Sequence, residues 1–280
     1  MIVSSKEIYK LARERNFAVP GTNFVDALSA ASHVETAEKC NLPTILSFAQ
    51  SHQCYLPWED AFAIGKYYAN KSKAPVVLHL DHGTDKEFIF KAVDAGFSSV
   101  MIDASSKSFE DNVRLTSEIV KYAHLRGVVV EAEIGHVGEG NEYQDQKDNN
   151  NIYTTVEEAK KFVELTEVDS LAISIGTAHG AYKGTPVINF DRLTEIRNSV
   201  EVPLVLHGGS SSGDDNLHRC AVGGISKINI YTDFVQAAYK KVQESEKKDY
   251  FAVRDAMKQG MGECLEHYYN IFETKKYAEN

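Results

Sequence analysis

The sequence predicts an α/β protein, namely a single TIM (β/α)8 barrel over residues 1–280 with a C-terminal helical extension. Three observations favour this fold class. Short β-rich runs alternate with helix-length amphipathic stretches, the alternation repeats eight times, and 280 residues is a common size for one barrel. Many of the β-rich runs are also continuously apolar, as expected of parallel strands that are buried on both faces.

The predicted elements follow in order from the amino terminus. Ser4 and Glu7 have the spacing of a capping box, so a first helix is expected to begin there. Further helices are predicted over Asn112–Leu125 and Thr155–Leu165, between strands. The eight strand candidates are Phe17–Asn23, Thr44–Ala49, Val76–Asp81, Ser99–Asp103, Val128–Gly135, Ser170–Gly176, Leu204–Gly208 and Lys227–Thr232.

Two segments fall outside this alternation. His136–Asn150 is polar and leaves the carboxyl end of the fifth strand, so it is either a solvated loop or a mobile lid over the barrel mouth. The tail after Asp249 is expected to be helical. Its apolar side would consist of Phe251, Val253, Met257, Met261, Leu265 and Tyr268. An open doubly wound sheet is the alternative fold, but no strand–GxGxxG–helix unit supports it.

The composition excludes several classes of protein. The net charge is −10, and acidic and basic residues are interleaved without a basic stripe, so nucleic acid is not an expected partner. Four scattered cysteines without a C-x-x-C pair fit a reducing compartment better than a disulfide framework. No run of about 18 apolar residues predicts a membrane span. The first residues lack an apolar signal core, so we expect a cytoplasmic protein.

Metal-binding residues are expected at the C-terminal ends of the strands, where active sites of barrels lie. His82, His179 and His207 end or follow the third, sixth and seventh strands, so their imidazoles can meet on one rim. Three protein nitrogens and an open position form a common ligand set of catalytic zinc, and we therefore predict one divalent metal.

The other histidines receive no role from the sequence. His79 is left out because strand alternation would place it on the opposite face from His82. The remaining six lie on predicted helices or loops and are assigned to the surface, namely His33, His52, His124, His136, His218 and His267.

Asp81 adjoins His82, and the sequence allows two interpretations of its carboxylate. It is either the acid or base of a reaction or a partner that orients a ligand histidine. The residues themselves do not separate these roles.

A phosphate site is predicted after strands seven and eight, which is its usual position in barrels. Gly208-Gly209-Ser210 and Asn229–Thr232 would supply backbone amides and hydroxyl groups there. Lys183 could add a positive charge, since it follows His179 by four residues. Glycine turns are common in general, so the position of these segments carries the prediction.

Several longer motifs now identify a family. They are HLDHG at 79–83, SSVMIDAS at 98–105, VEAEIG at 130–135, SLAISIGTAHGAYKG at 170–184, LVLHGGS at 204–210 and KINIYT at 227–232. With these motifs in this order, the chain resembles the class II aldolases, which include fructose-bisphosphate and tagatose-bisphosphate aldolases. The resemblance extends over nearly the whole chain, from Phe17–Asn23 to Thr232.

The resemblance implies an aldehyde-lyase that reversibly cleaves a ketose 1-phosphate or ketose bisphosphate into dihydroxyacetone phosphate and an aldehyde. It implies that Asp81 is the acid or base at the C4 hydroxyl and that Asp103 and Glu133 are acidic residues near the metal. The three histidines match the ligands of one Zn²⁺ per chain. The residues that match contacts to the substrate or its phosphate are Asn23, Gly180, Gly208, Gly209, Ser210, Asn229, Ile230, Tyr231 and Thr232. A monovalent cation and a homodimer or homotetramer are also expected.

The chain departs from the fructose-bisphosphate aldolase pattern at the residues that would bind the aldehyde half of the substrate. Asn141 stands where a glutamate of the lid is expected, Ala49 and Gln50 where a serine is expected, and Tyr231 where an aspartate is expected. A late arginine is missing, and the chain ends KKYAEN. These departures predict that fructose 1,6-bisphosphate is a poor substrate and that another ketose 1-phosphate is preferred. An ordinary fructose- or tagatose-bisphosphate aldolase is the alternative.

Three rival functions remain at this point. A Schiff-base aldolase needs a lysine near the top of a strand, whereas Lys227 begins the eighth strand candidate and Lys183 lies in a loop. A non-catalytic barrel subunit could have lost its ligands, yet the three histidines and Asp81 are all present. A metal hydrolase is less favoured because no H-x-H pair ends the first strand.

Overall fold

Eight parallel strands form a closed barrel in the computed structural model, which describes residues 2–135, 153–178, 186–246 and 249–279. Each strand pairs with the next along the chain, and β1 also pairs with β8 to close the barrel. The predicted barrel is thus confirmed. The strands are β1 (Val19–Asn23), β2 (Thr44–Ala49), β3 (Val76–Gly83), β4 (Ser99–Ile102), β5 (Val129–Ile134), β6 (Ser170–Ile173), β7 (Leu204–Leu206) and β8 (Ile225–Ile230).

The helices surround the barrel and begin at polar capping residues in most cases. Ser4 caps the first helix as predicted, but its Oγ accepts from Lys6 N at 3.3 Å, so it does not form the reciprocal pair with Glu7. Thr155 and Glu158 do form a capping box. The helices are α1 (Ser5–Arg15), α2 (Ala27–Cys40), α3 (Trp58–Lys71), α4 (Lys86–Ala95), α5 (Phe109–His124), α6 (Val156–Thr166), α7 (Phe190–Arg197), α8 (Asp214–Gly223), α9 (Thr232–Glu244) and α10 (Tyr250–Ile271).

The barrel wall separates an apolar layer from a polar interior. Outward-facing residues such as Leu46, Leu78 and Val100 are fully buried and belong to the main core beneath the helices. A smaller cluster, with Tyr9 of α1 and Ile45, packs at the amino-terminal end of the barrel. The interior positions are polar yet also buried, and they include His79, Asp81, Glu131, His207 and Lys227. This polar interior supplies the candidate active site.

The C-terminal extension is the long helix α10, which packs against α9 and α2. Met261, Leu265 and Tyr268 are buried on its inner side, as predicted. Phe251 is 68% exposed, so its assignment to that side is wrong. It lies in the first turn of the helix, which begins at Tyr250. Within the residues that the structure describes, no helix is both long and apolar enough to cross a membrane.

The eighth strand begins earlier than predicted, and this changes the position of a lysine. β8 starts at Ile225, so Lys227 is its third residue and lies inside the barrel. Its Nζ bonds Glu131 Oε1 and Oε2 at 2.9 and 2.8 Å. The expectation that Lys227 begins the strand is therefore wrong, but a fully buried, ion-paired ammonium is also a poor nucleophile for a Schiff base.

Candidate active site

The third strand is irregular at its carboxyl end, where two predicted site residues lie. β3 and β4 shift register between Leu80 and Gly83, and His82 adopts a left-handed backbone with φ 46°. Gly83 is required there because an added Cβ would lie 2.5 Å from the backbone oxygen of Met101. The irregularity interrupts strand alternation, so His82 joins the inward-facing residues at the barrel mouth.

The prediction that His79 lies on the opposite face from His82 is wrong, because it assumed regular alternation through His82. His79 is fully buried inside the barrel, with Nδ1 2.8 Å from Ser99 Oγ and Nε2 3.1 Å from Lys227 Nζ. Burial and the charge of Lys227 lower the pKa of His79 to about 3. The ring is therefore neutral at neutral pH and accepts a hydrogen bond from the ammonium.

His82 is held by a carboxylate. Its Nδ1 lies 2.7 Å from Asp103 Oδ2, and Asp103 Oδ1 accepts hydrogen bonds from the amide and hydroxyl of Ser105 at 3.2 and 2.7 Å. Burial lowers the pKa of His82, but the charge of Asp81 and the bond to Asp103 raise it above its usual value. Carboxylates in this position orient metal-binding histidines and fix which nitrogen faces the ion.

His207 lies at the end of β7, fully buried between two carboxylates. Its Nδ1 is 2.8 Å from Glu133 Oε2, and its Nε2 is 2.9 Å from Glu131 Oε1. Burial lowers the pKa of the imidazole, but the hydrogen bonds and charges of Glu131 and Glu133 raise it to about 10. The ring centroids of His207 and His82 are 4.5 Å apart, which makes two of the predicted metal ligands neighbours.

Asp81 is buried and held by two side-chain amides. Asn23 Nδ2 donates to Oδ2 at 2.8 Å, and Asn229 Nδ2 donates to Oδ1 at 2.9 Å. Burial raises the pKa of Asp81, but the positive charges of His82 and Lys227 outweigh this effect and hold the pKa well below its usual value. The carboxylate is therefore ionised at neutral pH.

Two sets of side chains have the spacing of a metal site. Asp81, His82 and His207 each offer a ligand atom within 4.8 Å of the others, and His82 does the same with Asp103 and Glu133. The sequence-predicted acids are thus brought together with two of the predicted histidines. A third set, His79, Asp81 and Glu131, is also close, but the ammonium of Lys227 already bonds two of its members.

The segments after β7 and β8 are adjacent, as expected for a phosphate site. Gly209 N donates to Asn229 O at 3.2 Å, and Ser210 Oγ accepts from Tyr231 N at 3.1 Å. Thr232 is the first residue of α9, so the positive end of that helix dipole lies at the same junction. The glycine turn, the hydroxyl group and the helix start are therefore combined in one place, which suits an anion.

Gly208 brings this junction against the end of the sixth strand. Its φ is 67°, and an added Cβ would lie 2.3 Å from the backbone oxygen of Ala178. Only glycine meets both conditions without movement of the backbone. Ala178 is the residue before His179, so the close approach fixes where the chain enters the segment that carries the third predicted ligand.

His52 also belongs to the site, and its assignment to the surface is wrong. It is half-buried, its ring centroid lies 4.5 Å from that of Tyr231, and its Nδ1 is buried without a hydrogen-bond partner among the described residues. Gln50 Oε1 accepts from the amides of Thr84 and Asp85 at 2.8 and 3.3 Å, which ties the end of β2 to the turn after β3. The sequence signal was the position of His52, three residues after a strand end on the active rim.

His33 was also assigned to the surface, and this too is wrong. It is fully buried on α2, with Nε2 3.3 Å from Asn23 O and its ring 4.5 Å from that of Phe234. Burial lowers its pKa to about 4, so it is neutral and supports the backbone of Asn23. The other histidines in the described part of the chain are half-buried or exposed, namely His124, His218 and His267.

Several predicted site residues lie outside the described residues. They are the ligand His179, the phosphate-site residues Gly180 and Lys183, and the segment His136–Asn150, including Asn141. The part of the site that the structure describes is therefore the side formed by β1 to β5, β7 and β8.

Comparisons with known proteins identify similar sequences. A family model described as fructose-bisphosphate aldolase class-II matches residues 3–276. The Escherichia coli (strain K12) protein YdjI is 35% identical over 268 residues, which are 96% of each chain.

Solved structures give the same result. The crystal structure of the YdjI aldolase from Escherichia coli K12 has a TM-score of 0.90 at 33% identity and covers 100% of both chains. A putative fructose-1,6-biphosphate aldolase from Coccidioides immitis has a TM-score of 0.85 at 28% identity, over 97% of both chains.

Proposed function

The chain belongs to the class II fructose-bisphosphate aldolase family, and from this we propose that it is a zinc-dependent aldolase that cleaves a ketose 1-phosphate into dihydroxyacetone phosphate and an aldehyde. One observation carries the proposal. Two side-chain amides hold the ionised carboxylate of Asp81 in place. A carboxylate oxygen of Asp81 and one ring nitrogen each of His82 and His207 lie within 4.8 Å of one another. An oriented base beside two imidazoles is the arrangement that metal-assisted aldol cleavage needs.

The donor set fits a zinc ion. His82 and His207 already have carboxylate partners that orient ligand imidazoles, namely Asp103 and Glu131, and Glu133 supplies a further oxygen atom nearby. We propose that His179, which lies outside the described residues, is the third ligand. When bound, the ion would supply Lewis-acid polarisation of the substrate ketone and stabilise the negative charge that develops on it.

Asp81 would accept the proton of the substrate C4 hydroxyl as the C3–C4 bond breaks. The electron pair of that bond would form the enediolate of dihydroxyacetone phosphate, and a second proton, taken up at C3, would give the product. Its hydrogen bonds from Asn23 and Asn229 aim the carboxylate and keep it ionised, which favours the role of base over that of a partner for a ligand histidine. His82 and His207 are instead bonded to the carboxylates of other residues. In the direction of aldol addition, Asp81 returns the proton to the new hydroxyl group.

The dihydroxyacetone phosphate half of the substrate is proposed to bind at the junction of β7, β8 and α9. Gly208, Gly209 and Ser210 provide the anion-binding turn, and the first turn of α9 adds the helix dipole. The side-chain oxygen of Asn229 is buried and has no hydrogen-bond partner in the described part of the chain, so a substrate hydroxyl group would satisfy it.

A panel of aldehydes tests the proposed function most directly. The zinc-loaded protein would be incubated with dihydroxyacetone phosphate and one aldehyde at a time, and the ketose 1-phosphate formed would be identified by mass spectrometry and NMR. Addition to at least one aldehyde, abolished by a chelator and restored by zinc, is the expected result. A protein that neither adds any aldehyde nor exchanges a proton of dihydroxyacetone phosphate would contradict the proposal.

Fructose 1,6-bisphosphate is expected to be a poor substrate. Gln50 and Tyr231 stand where the family pattern has a serine and an aspartate, and Gln50 Oε1 is already bonded to two backbone amides. Mismatched polar groups can reduce specificity by several powers of ten. The check is kcat/KM for fructose and tagatose bisphosphates against other ketose 1-phosphates. A value near ~10⁵ M⁻¹ s⁻¹ for either bisphosphate, within the ordinary range of enzymes, would contradict this prediction.

His52 and Tyr231 are proposed to contact the aldehyde half of the substrate. Replacing His52 by alanine removes both an aromatic surface and a buried nitrogen that has no partner within the described ranges. We expect His52→Ala to lower kcat/KM for the preferred aldehyde by ~10-fold or more, the scale of one lost pocket contact. Proton exchange on dihydroxyacetone phosphate alone should keep its rate.

Gln53→Ala serves as the control for His52, because Gln53 lies on the same short segment but is exposed. It should change neither measurement. If His52→Ala slowed proton exchange as much as aldol addition, His52 would belong to the phosphate or metal half of the site instead.

A further inference from the structure

A buried ionic cluster lies directly beneath the proposed metal site. Lys227, Glu131, His79 and His207 are each 0% exposed, although all four are polar and project into the barrel from different strands. A buried lysine is costly unless its charge is paired and its hydrogen bonds are satisfied. Lys227 takes no part in the proposed chemistry, so its burial must serve another purpose.

All three N–H donors of Lys227 have an acceptor. Two go to Glu131 Oε1 and Oε2 at 2.9 and 2.8 Å, and the third goes to His79 Nε2 at 3.1 Å. His79 must then donate from Nδ1 to Ser99 Oγ, 2.8 Å away. The ammonium is thus fixed in position, and it fixes both oxygens of the Glu131 carboxylate.

Glu131 in turn determines which nitrogen of the His207 ring carries a proton. Because both its oxygens are bonded by Lys227, the carboxylate stays ionised and can only accept, so His207 Nε2 must keep its proton to donate at 2.9 Å. The other ring nitrogen, Nδ1, is turned towards Glu133, a member of the acid group around His82. Nδ1 is therefore the nitrogen on the metal side of the ring.

We propose that Lys227 and Glu131 are positioning residues that hold His207 with Nε2–H pointing into the barrel and Nδ1 directed at the metal. The inference rests on the proposed metal site and adds to it the residues that select the ligand atom. Neither residue needs to touch substrate. Without the pair, the Nε2–H group of His207 loses the acceptor that fixes the ring, so the ring can rotate and its ligand nitrogen is correctly placed in only part of the molecules.

The double variant Lys227→Met/Glu131→Leu separates positioning from stability. Apolar residues of similar volume often replace a buried ion pair without loss of stability, whereas removing one partner leaves an unpaired buried charge. We expect the double variant to fold with a Tm near that of the parent. Its Kd for Zn²⁺, measured by competition with a chelator, should rise by about 10–100-fold, the usual effect of losing a partner that orients a ligand.

A spectroscopic readout accompanies the affinity. The visible spectrum of the Co²⁺-loaded double variant should differ from that of the Co²⁺-loaded parent, because the set or geometry of nitrogen ligands changes. Glu131→Gln is the second variant, which keeps the shape of the side chain if the double variant does not fold. It should also weaken Zn²⁺ binding, since an amide can present an N–H group to His207 Nε2.

The surface variant Lys241→Met/Glu263→Leu is the matched control, because it removes a partly exposed ion pair with an Nζ–Oε2 distance of 2.7 Å on α9 and α10. It should leave the Kd for Zn²⁺ and the Co²⁺ spectrum unchanged. If the folded double variant or Glu131→Gln bound Zn²⁺ as tightly as the parent with the same Co²⁺ spectrum, the positioning role would be refuted. A parent chain that binds no Zn²⁺ would instead contradict the proposed function itself.

Discussion

Asp81→Ala is expected to lower the rate of aldol cleavage by about 10²–10⁴-fold, the usual scale for a positioned acid or base. The carboxylate is ionised and aimed by the amides of Asn23 and Asn229, and alanine offers nothing in its place. Zn²⁺ binding and binding of dihydroxyacetone phosphate should remain. Proton exchange on dihydroxyacetone phosphate should also remain, because that proton is on a different carbon.

Three measurements on Asp81→Ala decide whether Asp81 is the base of the reaction or a partner that orients a ligand histidine. They are kcat for cleavage, metal content after dialysis, and the rate of deuterium incorporation into dihydroxyacetone phosphate by NMR. Asn23→Ala is an informative companion, since it removes one hydrogen bond to Asp81 but keeps the carboxylate. Its loss of activity should be smaller. If Asp81→Ala lost its metal together with its activity, Asp81 would be an orienting partner and not the base.

His82→Ala and His207→Ala are expected to lose tight metal binding and with it all measurable aldolase activity. Removing either imidazole leaves at most two histidine ligands, which rarely hold zinc well. His207→Ala should lose more stability than His82→Ala. His207 is fully buried between Glu131 and Glu133, so its removal also leaves buried carboxylates without their partner, whereas the His82 side chain is 21% exposed.

Metal content per chain and activity at saturating Zn²⁺ are the measurements for these histidine variants. His124→Ala is the control, because His124 is an exposed surface histidine paired with Asp169 at 2.8 Å, and it should keep both metal and activity. A chelator should inactivate the parent reversibly. If the parent were insensitive to chelators and borohydride with substrate trapped a lysine adduct, the mechanism would be that of a Schiff-base aldolase.

The fold was predictable because the parallel strands of a barrel are buried on both faces. The run Thr44–Ala49 is apolar apart from two small hydroxyl residues, and its observed bounds equal the predicted ones. The start of β8 was harder to predict, because Ser226 and Lys227 are polar and resemble part of a turn, although both are fully buried. Strands whose inward side is polar therefore have boundaries that hydrophobicity alone does not show.

The proximity of the candidate site residues was predictable where it depends on strand ends. His82, His207, Asp81, Asp103 and Glu133 come together as the order of strands in a barrel requires. That His79 and His82 both face the barrel interior was not predictable, because the left-handed backbone at His82 interrupts the alternation of the strand. Such a conformation is set by the β3–β4 register and Gly83, which a single strand's periodicity does not reveal. The monovalent cation and the homo-oligomeric state stay predictions.

Contacts between side chains of distant strands were also not predictable from the sequence. Nothing in the sequence indicates that Lys227 meets Glu131, 96 residues earlier in the chain, or that His52 stacks on Tyr231. Periodicity describes one element at a time. Contacts between side chains of distant strands follow from the shear and tilt of the closed barrel, which three-dimensional coordinates supply.

The close approach of Gly208 to Ala178 bears on how such barrels diverge. The contact is made by backbone atoms, so any side chain at position 208 would disturb it. Rim side chains such as His52 and Tyr231 carry no backbone constraint of this kind. Position 208 is therefore closed to substitution, whereas rim side chains can change without moving this backbone contact.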